Sequence, residues 1–334
     1  MNTDFLSHTE IQKIQLERLQ ETLLYAYANS HFYREFYDEK GFSPGDIHRM
    51  EDLSRIPLIQ REIISERLKD LIATPSSRWI DISSTAGVTG TPLYLPTTKN
   101  DLVLMAGLSS RGARNLGITE EDTILLTLSQ DNLLPYGSIF SFIFQFAIGA
   151  TLLRGGTSDP DRYIKIIETL NPNVVIGLPD DLIAIGKKIV KKGFHLTSKK
   201  WKMLITTGKP IHTLPWEPNP IQQELETIWN APCYSVFQST ELGTGLWECP
   251  ARQGHHIPWD YIIAEVIDSN TMEVLPPGQE GELVFTVLGR EAIPLIRYRT
   301  GDFTQYRNST CNCGRNNTRI MAVKSRKSKK QHKK

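Results

Sequence analysis

The spacing of apolar and polar positions predicts helices in some parts of the chain and strands in others. From residue 9 to 40 apolar residues recur mainly at three- and four-residue intervals, which predicts helix. From about 100 to 215, helix-like stretches (Lys99 to Leu116, Asp161 to Thr169, Leu182 to Lys192) alternate with the short apolar runs TILLTL, ATLLRGG, NVVIGLP and MLITTG. Short strands separated by helices predict β-α-β units and a mainly parallel sheet covered on both faces.

The pattern changes from about residue 259. YIIAEVID, a Pro-Pro-Gly turn, GELVFTVL and PLIRYRT follow one another without intervening helices, which predicts a distorted antiparallel sheet or a β-barrel-like subdomain. The sequence therefore predicts an α/β fold. Its expected segments are an N-terminal helical part (1–75), an α/β core (76–258), a β subdomain (259–323) and a basic disordered tail (324–334).

Composition and charge exclude several classes of protein. The chain has 334 residues and a net charge of +1, but its last eleven residues carry seven Lys and Arg side chains. Without them the chain is mildly acidic, which argues against nucleic-acid binding. A signal peptide and an apolar run of the roughly 18–20 residues that a membrane span needs are both missing, so we expect no membrane association and a cytoplasmic location. The four cysteines predict reduced thiols or metal ligands.

Three loops carry residues suited to nucleotide chemistry. The Gly-, Ser- and Thr-rich loop 83–92 follows a predicted strand and suits a polyphosphate. The loop 237–243 (FQSTELG) offers a carboxylate for Mg²⁺ and an aromatic ring for a base. The loop 298–302 (YRTGD) offers a carboxylate for the hydroxyls of a ribose. Each loop by itself is weak evidence, because such sequences are more often ordinary surface turns.

Taken together and in this order, the three loops resemble those of the adenylate-forming superfamily, and the wider text resembles its phenylacetate-CoA ligase branch. The resemblance covers about residues 10 to 326. It includes EDLSRIPLIQREIISE, STAGVTGTP, ITTGKP, FQSTELG, WECPARQGHH, LPPGQEGELVFTVLGREAIPLIRYRTGD and CNCGRNNTRI. The family's large domain, with parallel sheets flanked by helices, is the fold that this resemblance implies.

The resemblance also implies a role for individual residues. It assigns the ATP phosphates to Thr85, Gly87, Thr89, Gly90 and Thr91. It assigns the adenine side of the ATP site to Thr207, Gly208, Lys209, Pro210, Phe237, Gln238 and Ser239. Thr240 and Glu241 match the phosphate and Mg²⁺ positions, and Asp302 matches the ribose carboxylate. Four positions depart from the family: Thr91 replaces a Lys, Lys209 reverses a charge, Phe237 replaces a Tyr, and Gln238 replaces the Gly that follows it.

The acid substrate is expected beside Tyr136, Gly137 and Ser138, which resemble the family's Tyr-Gly segment at the start of a helix. The helix that follows is rich in Phe and Ile. Most of these residues are expected in the core, while one or two could line the pocket. Because ligand pockets are mostly apolar, an aromatic or apolar carboxylic acid is the expected substrate.

A separate set of residues predicts a structural Zn²⁺ site. Three thiols and one imidazole suit a closed tetrahedral zinc centre, and the resemblance supports the set Cys249, His256, Cys311 and Cys313. His255 is the alternative imidazole ligand.

Two functions stay open from the sequence. The first is an enzyme that uses Mg·ATP to activate an acid as acyl-adenylate and transfers it to CoA or to the phosphopantetheine thiol of an acyl carrier protein. The second is a non-catalytic module that binds nucleotide or acyl-adenylate. The family's C-terminal lid, with its catalytic Lys, is expected to be absent, because the hinge position is followed by Lys-rich sequence. A separate chain that bears the lid is therefore one candidate partner. A second copy of the chain, in a homodimer, is another candidate.

Overall fold

The computed structural model describes residues 3–85, 92–129, 133, 135–156 and 159–324. Its α-helices are α1 (His8–Asn29), α2 (His31–Glu39), α3 (Arg61–Leu71), α4 (Lys99–Leu116), α5 (Pro135–Phe142), α6 (Pro160–Leu170), α7 (Pro179–Lys191) and α8 (Pro220–Trp229). A π-helical segment, Ile143–Ile148, continues α5. Among these residues no helix combines the length and the apolar content that crossing a membrane requires.

The strands, in chain order, are β1 (Ile59–Gln60), β2 (Trp79–Ser84), β3 (Tyr94–Thr98), β4 (Thr123–Leu126), β5 (Thr151–Arg154), β6 (Val174–Gly177), β7 (Met203–Thr207), β8 (His212–Thr213), β9 (Glu217–Pro218), β10 (Cys233–Gln238), β11 (Gly245–Trp247), β12 (His255–His256), β13 (Ile262–Ile267), β14 (Gly281–Val287), β15 (Leu295–Thr304), β16 (Tyr306–Arg307) and β17 (Arg319–Ile320). The chain divides into two compact units. The first comprises Met1–Leu104, Thr240–Leu242 and Ile257–Lys334, and the second comprises Met105–Ser239 and Gly243–His256.

The second unit is built on a sheet with the strand order β12-β11-β10-β7-β6-β4-β5. Strands β10, β7, β6, β4 and β5 are parallel to one another, whereas β11 and β12 continue the sheet in antiparallel fashion. The apolar runs noted in the sequence form β4, β5, β6 and β7, and helices separate them along the chain. The predicted α/β fold with a parallel sheet is confirmed.

Both faces of this sheet are buried, because successive side chains of a strand point to opposite sides. Ile124 and Leu126 of β4 belong to one apolar cluster, and Leu125 between them belongs to another. Helix α5 supplies Phe140 to the first cluster, and α7 and α8 supply side chains to the second. This two-sided burial explains why the strands are almost continuously apolar.

The first unit contains a sheet with the order β1-β15-β14-β13. Strands β13, β14 and β15 are antiparallel neighbours, as the turn-linked strands of the sequence predict. Strand β1 adds to β15 in parallel, with Ile59 opposite Tyr298. This pairing brings the start of α3 next to the strand that contains the predicted ribose segment 298–302.

The helical pattern predicted over residues 9 to 40 is formed by two helices, α1 and α2, separated at Ser30. Ser30 has extended backbone angles (φ −107°, ψ 123°), and its hydroxyl accepts a hydrogen bond from Tyr33 N. The same hydroxyl donates to Asp70 O at 2.9 Å. A buried serine that caps the second helix interrupts an apolar pattern that would otherwise continue.

Candidate active site

The carboxylate of Glu241 is the centre of a polar cluster in the first unit. Arg61 Nη1 and Tyr298 OH, the latter at 3.3 Å, both donate to Glu241 Oε1. Arg61 Nη2 also donates to Thr85 Oγ1 at 3.0 Å. Arg290 Nη1 donates to the backbone carbonyl of Glu241. The guanidinium group of Arg61 therefore links Glu241, the predicted Mg²⁺ ligand, to Thr85, a predicted phosphate ligand.

Local structure explains how these side chains meet. Arg61 is the first residue of α3 and follows β1 directly. Strand β1 pairs with β15 in parallel. Arg61, directly after β1, and Tyr298, on β15, therefore reach the same carboxylate. Burial, followed by the negative charge of Glu241, raises the pKa of Tyr298. The phenol therefore stays protonated and acts as a hydrogen-bond donor to Glu241 at neutral pH.

Hydrogen bonds fix Thr85 and Thr240, which belong to the two predicted phosphate segments, next to this cluster. Thr85 and Leu93 exchange two hydrogen bonds, from Thr85 N to Leu93 O at 3.1 Å and from Leu93 N to Thr85 Oγ1 at 3.0 Å. Thr240 Oγ1 donates to Ser84 O at 3.5 Å. The predicted phosphate residues Gly87, Thr89, Gly90 and Thr91 lie outside the described residues. Carboxylate and hydroxyl oxygens are ligands that suit Mg²⁺ and phosphate chemistry.

Asp302, the predicted ribose ligand, lies in a fixed turn within β15. Gly301 has φ +75°, a left-handed conformation that glycine adopts without steric cost. Its N–H donates to Glu282 Oε1 at 3.1 Å, and Asp302 N donates to Thr300 Oγ1 at 3.0 Å. Arg299 pairs with the other oxygen of Glu282. The backbone that presents the Asp302 carboxylate is therefore held by side chains on both sides.

In the second unit, the predicted adenine residues lie at the carboxyl ends of two parallel neighbours, β7 and β10. Thr207 ends β7 and Gln238 ends β10, and Thr207 Oγ1 donates to Gln238 Oε1 at 3.3 Å. Phe237 precedes Gln238, and Ser239 O accepts from Gly243 N at 3.3 Å. Ligands of open α/β sheets bind outside the carboxyl ends of the strands, so this edge is suited to a nucleotide base.

Lys209, whose charge is reversed relative to the family, has a partner within the second unit. Its Nζ lies 2.8 and 3.0 Å from the two carboxylate oxygens of Asp180 in the first turn of α7. Gly208 precedes it with φ +80°, and Pro210 O accepts from Asn219 Nδ2 at 3.0 Å. Because Asp180 neutralises the ammonium group, the adenine side of the site does not gain an uncompensated positive charge.

A buried polar cluster lies around Ser235 of β10. Ser235 donates to Glu248 Oε1 from its backbone N at 3.1 Å and from its hydroxyl at 2.6 Å, and His212 Nδ1 lies 3.4 Å from the same oxygen. Burial raises the pKa of Glu248 to about 8. Burial and the nearby charge of Arg252 lower the pKa of His212 to about 4. Glu248 is thus largely protonated, and His212 neutral, at neutral pH.

The predicted acid segment forms the beginning of a helix. Tyr136, Gly137 and Ser138 lie in the first turn of α5, and Gly137 O accepts from Ser141 Oγ at 2.8 Å. Phe140 and Phe144, further along, are completely buried in the first apolar cluster. Most of this Phe-rich helix is therefore core, as the sequence predicts.

The predicted zinc ligands form a compact group. One ligand atom from each of the four residues lies within 4.8 Å of the others: Cys249, His256, Cys311 and Cys313. Gly314 N donates to Cys311 O at 2.8 Å, and Arg252 N donates to Cys249 O at 2.9 Å, so tight turns follow both cysteines. His255, the alternative ligand, lies with its Nε2 2.8 Å from Ser235 Oγ. Three sulfur atoms and one imidazole nitrogen match the donor set of structural zinc.

Sequence reasoning did not single out Arg61, which belongs to the cluster around Glu241. Arg61 lies in the segment EDLSRIPLIQREIISE, yet nothing in that segment distinguishes it from a surface arginine at the start of a helix. The parallel pairing of β1 with β15 is what places it beside Glu241.

Comparisons with known proteins find curated relatives along almost the whole chain. The chain is 28% identical over 325 residues to the phenylacetate-coenzyme A ligase of Thermus thermophilus, covering 96% of this chain and 71% of the relative. It is 27% identical over 299 residues to the phenylacetate-coenzyme A ligase of Pseudomonas putida, covering 88% and 66%. No family model matches the chain.

A solved structure shares the fold at lower sequence identity. The 2-hydroxyisobutyryl-CoA ligase, in complex with 2-HIB-AMP and CoA in the thioesterification state, superimposes with a TM-score of 0.88 and 23% identity. The match covers 97% of this chain and 69% of that chain. Sequence similarity over nearly the whole chain, together with this fold, supports the resemblance to the phenylacetate-CoA ligase-like branch of the adenylate-forming enzymes.

Proposed function

We propose that this chain activates a carboxylic acid with ATP and transfers the acyl group to CoA. The observation that carries the proposal is the cluster of Arg61, Thr85, Glu241 and Tyr298, which unites a carboxylate, a cation and hydroxyl groups around one point. The named relatives are phenylacetate-coenzyme A ligases. The solved structure with the same fold holds an acyl-adenylate and CoA.

In the first half-reaction an oxygen of the acid's carboxylate attacks the α-phosphorus of ATP. A new P–O bond forms, the bond to the β-phosphate oxygen breaks, and pyrophosphate leaves with the electron pair. In the second half-reaction the sulfur of CoA attacks the acyl carbon. A C–S bond forms, the bond from that carbon to the phosphate oxygen of AMP breaks, and AMP leaves together with the proton of the thiol. Positioning and charge stabilisation account for such catalysis without a covalent enzyme intermediate.

The described residues have distinct roles in this scheme. Glu241 would hold Mg²⁺, which supplies charge neutralisation at the phosphates when it is bound. Arg61 would turn one face of its guanidinium toward the phosphate oxygens, since it bridges Glu241 and Thr85. Asp302 would accept the ribose hydroxyls, and Thr207 with Gln238 would border the base. Arg61 thereby provides a cation at the phosphate site, where Thr91 lacks the Lys that the family usually has.

The alternative of a non-catalytic binding module rests on the unusual Thr91 and Lys209. Asp180 neutralises Lys209, and Arg61 supplies positive charge beside Thr85. These two contacts favour the enzyme. The same proposal includes three features that experiments have to test. They are transfer to a carrier-protein thiol instead of CoA, a partner chain that bears the lid, and a homodimer.

We propose further that the acid is aromatic or apolar and that Zn²⁺ is structural. The first turn of α5 carries Tyr136, Gly137 and Ser138, the segment that the resemblance assigns to the acid, and apolar walls are typical of ligand pockets. The group of Cys249, His256, Cys311 and Cys313 supplies four protein ligands. A zinc ion with four protein ligands has no open position for water and does not catalyse the reaction.

The proposal is tested by incubating the purified chain with Mg·ATP, CoA and a panel of benzoates, phenylacetates and short fatty acids. We expect an acyl-CoA thioester and an equal amount of AMP with the aromatic or apolar acids. The two products are measured by chromatography and mass spectrometry. Binding of Mg·ATP without either product, with every acid, would favour the binding module instead.

A further inference from the structure

A buried arginine holds the backbone of the residue that carries the central carboxylate of the site. Arg290 Nη1 donates to the carbonyl oxygen of Glu241, and only 2% of Arg290 is exposed. The side chain of Glu241 is held separately, because Arg61 and Tyr298 donate to its Oε1. Both parts of Glu241 are therefore held, the carboxylate by two donors and the peptide group by Arg290.

The guanidinium group of Arg290 has no acidic partner. In the described part of the chain it forms no ion pair with a carboxylate, and its Nε is buried without a hydrogen-bond partner. Arg297, which is 3% exposed, instead donates from Nε and Nη2 to the two carboxylate oxygens of Glu265 at 3.0 and 2.9 Å. Burying a charge without a counter-charge is costly. A role in function therefore accounts for Arg290 better than a role in folding does.

The backbone on which Arg290 lies is itself fixed on both sides. Gly289 N, directly before it, donates to Thr22 Oγ1 of α1 at 3.1 Å. The N–H groups of the two residues after it donate to the carboxylate of Asp101 in α4, at 2.7 and 3.0 Å. Asp101 is completely buried and also accepts from Thr98 N at 3.1 Å. Two helices therefore hold the segment from which the guanidinium group reaches Glu241.

From this geometry we infer that Arg290 is a positioning residue for the Mg²⁺ site. It fixes the peptide group of Glu241, so that the carboxylate is held in one direction before nucleotide and metal arrive. Arg290 is too deeply buried to touch a phosphate, and it acts through Glu241. The inference rests on the proposed function, because that proposal assigns Mg²⁺ to Glu241. Removal of a group that orients a metal ligand typically lowers metal affinity by about 10- to 100-fold.

The first test replaces Arg290 with Met, which is apolar and has no hydrogen-bond donor. Binding of ATP is measured by calorimetry over a range of Mg²⁺ concentrations and without acid, so that the result does not depend on turnover. The Mg²⁺ concentration for half-maximal binding should rise by about tenfold or more in Arg290→Met. Arg290→Lys keeps a charged donor on a long side chain, so it should recover most of this loss.

Arg319→Met is the matched control. Arg319 is also 2% exposed, and its Nη2 also donates to a backbone carbonyl, Ser309 O, at 2.7 Å. Ser309 carries none of the proposed ligands of nucleotide or Mg²⁺, so this variant should keep the wild-type dependence of ATP binding on Mg²⁺. Urea unfolding of both variants shows that binding is compared between folded chains.

A second test asks whether Arg290 acts through Glu241. Glu241→Gln removes the charge that binds Mg²⁺, so adding Arg290→Met to this variant should cause no further change in the Mg²⁺ dependence of ATP binding. Two residues that act as one unit have effects that do not add, whereas independent residues have additive effects. Should Arg290→Met not fold, Arg290→Gln replaces it in both tests, because its shorter, neutral side chain also withdraws the charged donor.

The outcomes separate this inference from the proposed function. Wild-type Mg²⁺ dependence in Arg290→Met, a shift no larger than that of Arg319→Met, or additive effects with Glu241→Gln would overturn the role of Arg290. The expected shift and coupling, in a chain that exchanges pyrophosphate with no acid, would uphold that role and contradict the proposed catalysis. A wild-type chain that binds ATP equally well without Mg²⁺ would overturn both the inference and the metal assignment on which it rests.

Discussion

Glu241→Gln should lower acid-dependent adenylation by about 10²-fold or more, because positioned charge at phosphoryl centres accounts for effects of this size. The amide keeps the shape of the side chain but removes the negative charge that binds Mg²⁺ and that faces Arg61. We expect the dependence of the rate on Mg²⁺ concentration to shift to higher concentrations. The rate is measured with saturating ATP and acid over a range of Mg²⁺.

Glu280→Gln is the control for this experiment. Glu280 also carries a carboxylate in an ion pair, with Lys324 Nζ at 2.9 Å, but it is exposed. Exposed ion pairs contribute little, so this variant should keep the wild-type rate and stability. A Glu241→Gln variant that is folded by thermal unfolding, yet retains the wild-type rate and Mg²⁺ dependence, would contradict the assignment of the metal and phosphate site.

Zinc removal is the second change with a large expected effect. The purified chain should contain about one Zn²⁺, since four ligand atoms lie within 4.8 Å of one another. Prolonged treatment with a chelator should lower the free energy of unfolding by several kcal/mol, because structural zinc contributes directly to folding. We expect the same result for Cys311→Ser. Metal content is measured by atomic emission, and stability by urea unfolding.

Cys233→Ala supplies the control for zinc binding. Cys233 is a buried cysteine of the second apolar cluster, and it does not belong to the group of ligands. Its replacement should leave the zinc content unchanged and reduce stability only through the loss of packing. A zinc content close to zero in the wild-type chain, prepared without chelator, would remove the metal site from this account.

The arrangement of the core could be predicted from sequence because it depends on local patterns. The runs TILLTL and NVVIGLP are too short for helices and too apolar for surface strands, so they indicate parallel strands buried on both sides. They form β4 and β6, with adjacent residues such as Leu125 and Leu126 in different apolar clusters. Ser30 escaped prediction, because its hydrogen bond to Asp70 O connects residues that no periodicity relates.

The candidate site was less accessible to sequence reasoning, for the same reason. Glu241, in the turn after β10, and Asp302, within β15, stand in segments whose residue types suggest their chemistry. Arg61 reaches Glu241 from 180 positions away, and only the parallel pairing of β1 with β15 brings it there.

The central claim, that this chain forms an acyl-adenylate, is tested most directly by carboxylate-dependent exchange of labelled pyrophosphate into ATP. The reaction contains the chain, Mg·ATP, pyrophosphate and one acid at a time, without CoA, so that it isolates the first half-reaction. We expect exchange with at least one aromatic or apolar acid, and background exchange without acid or with Glu241→Gln. Exchange at the background level with every acid, from a folded chain that binds ATP, would contradict the claim.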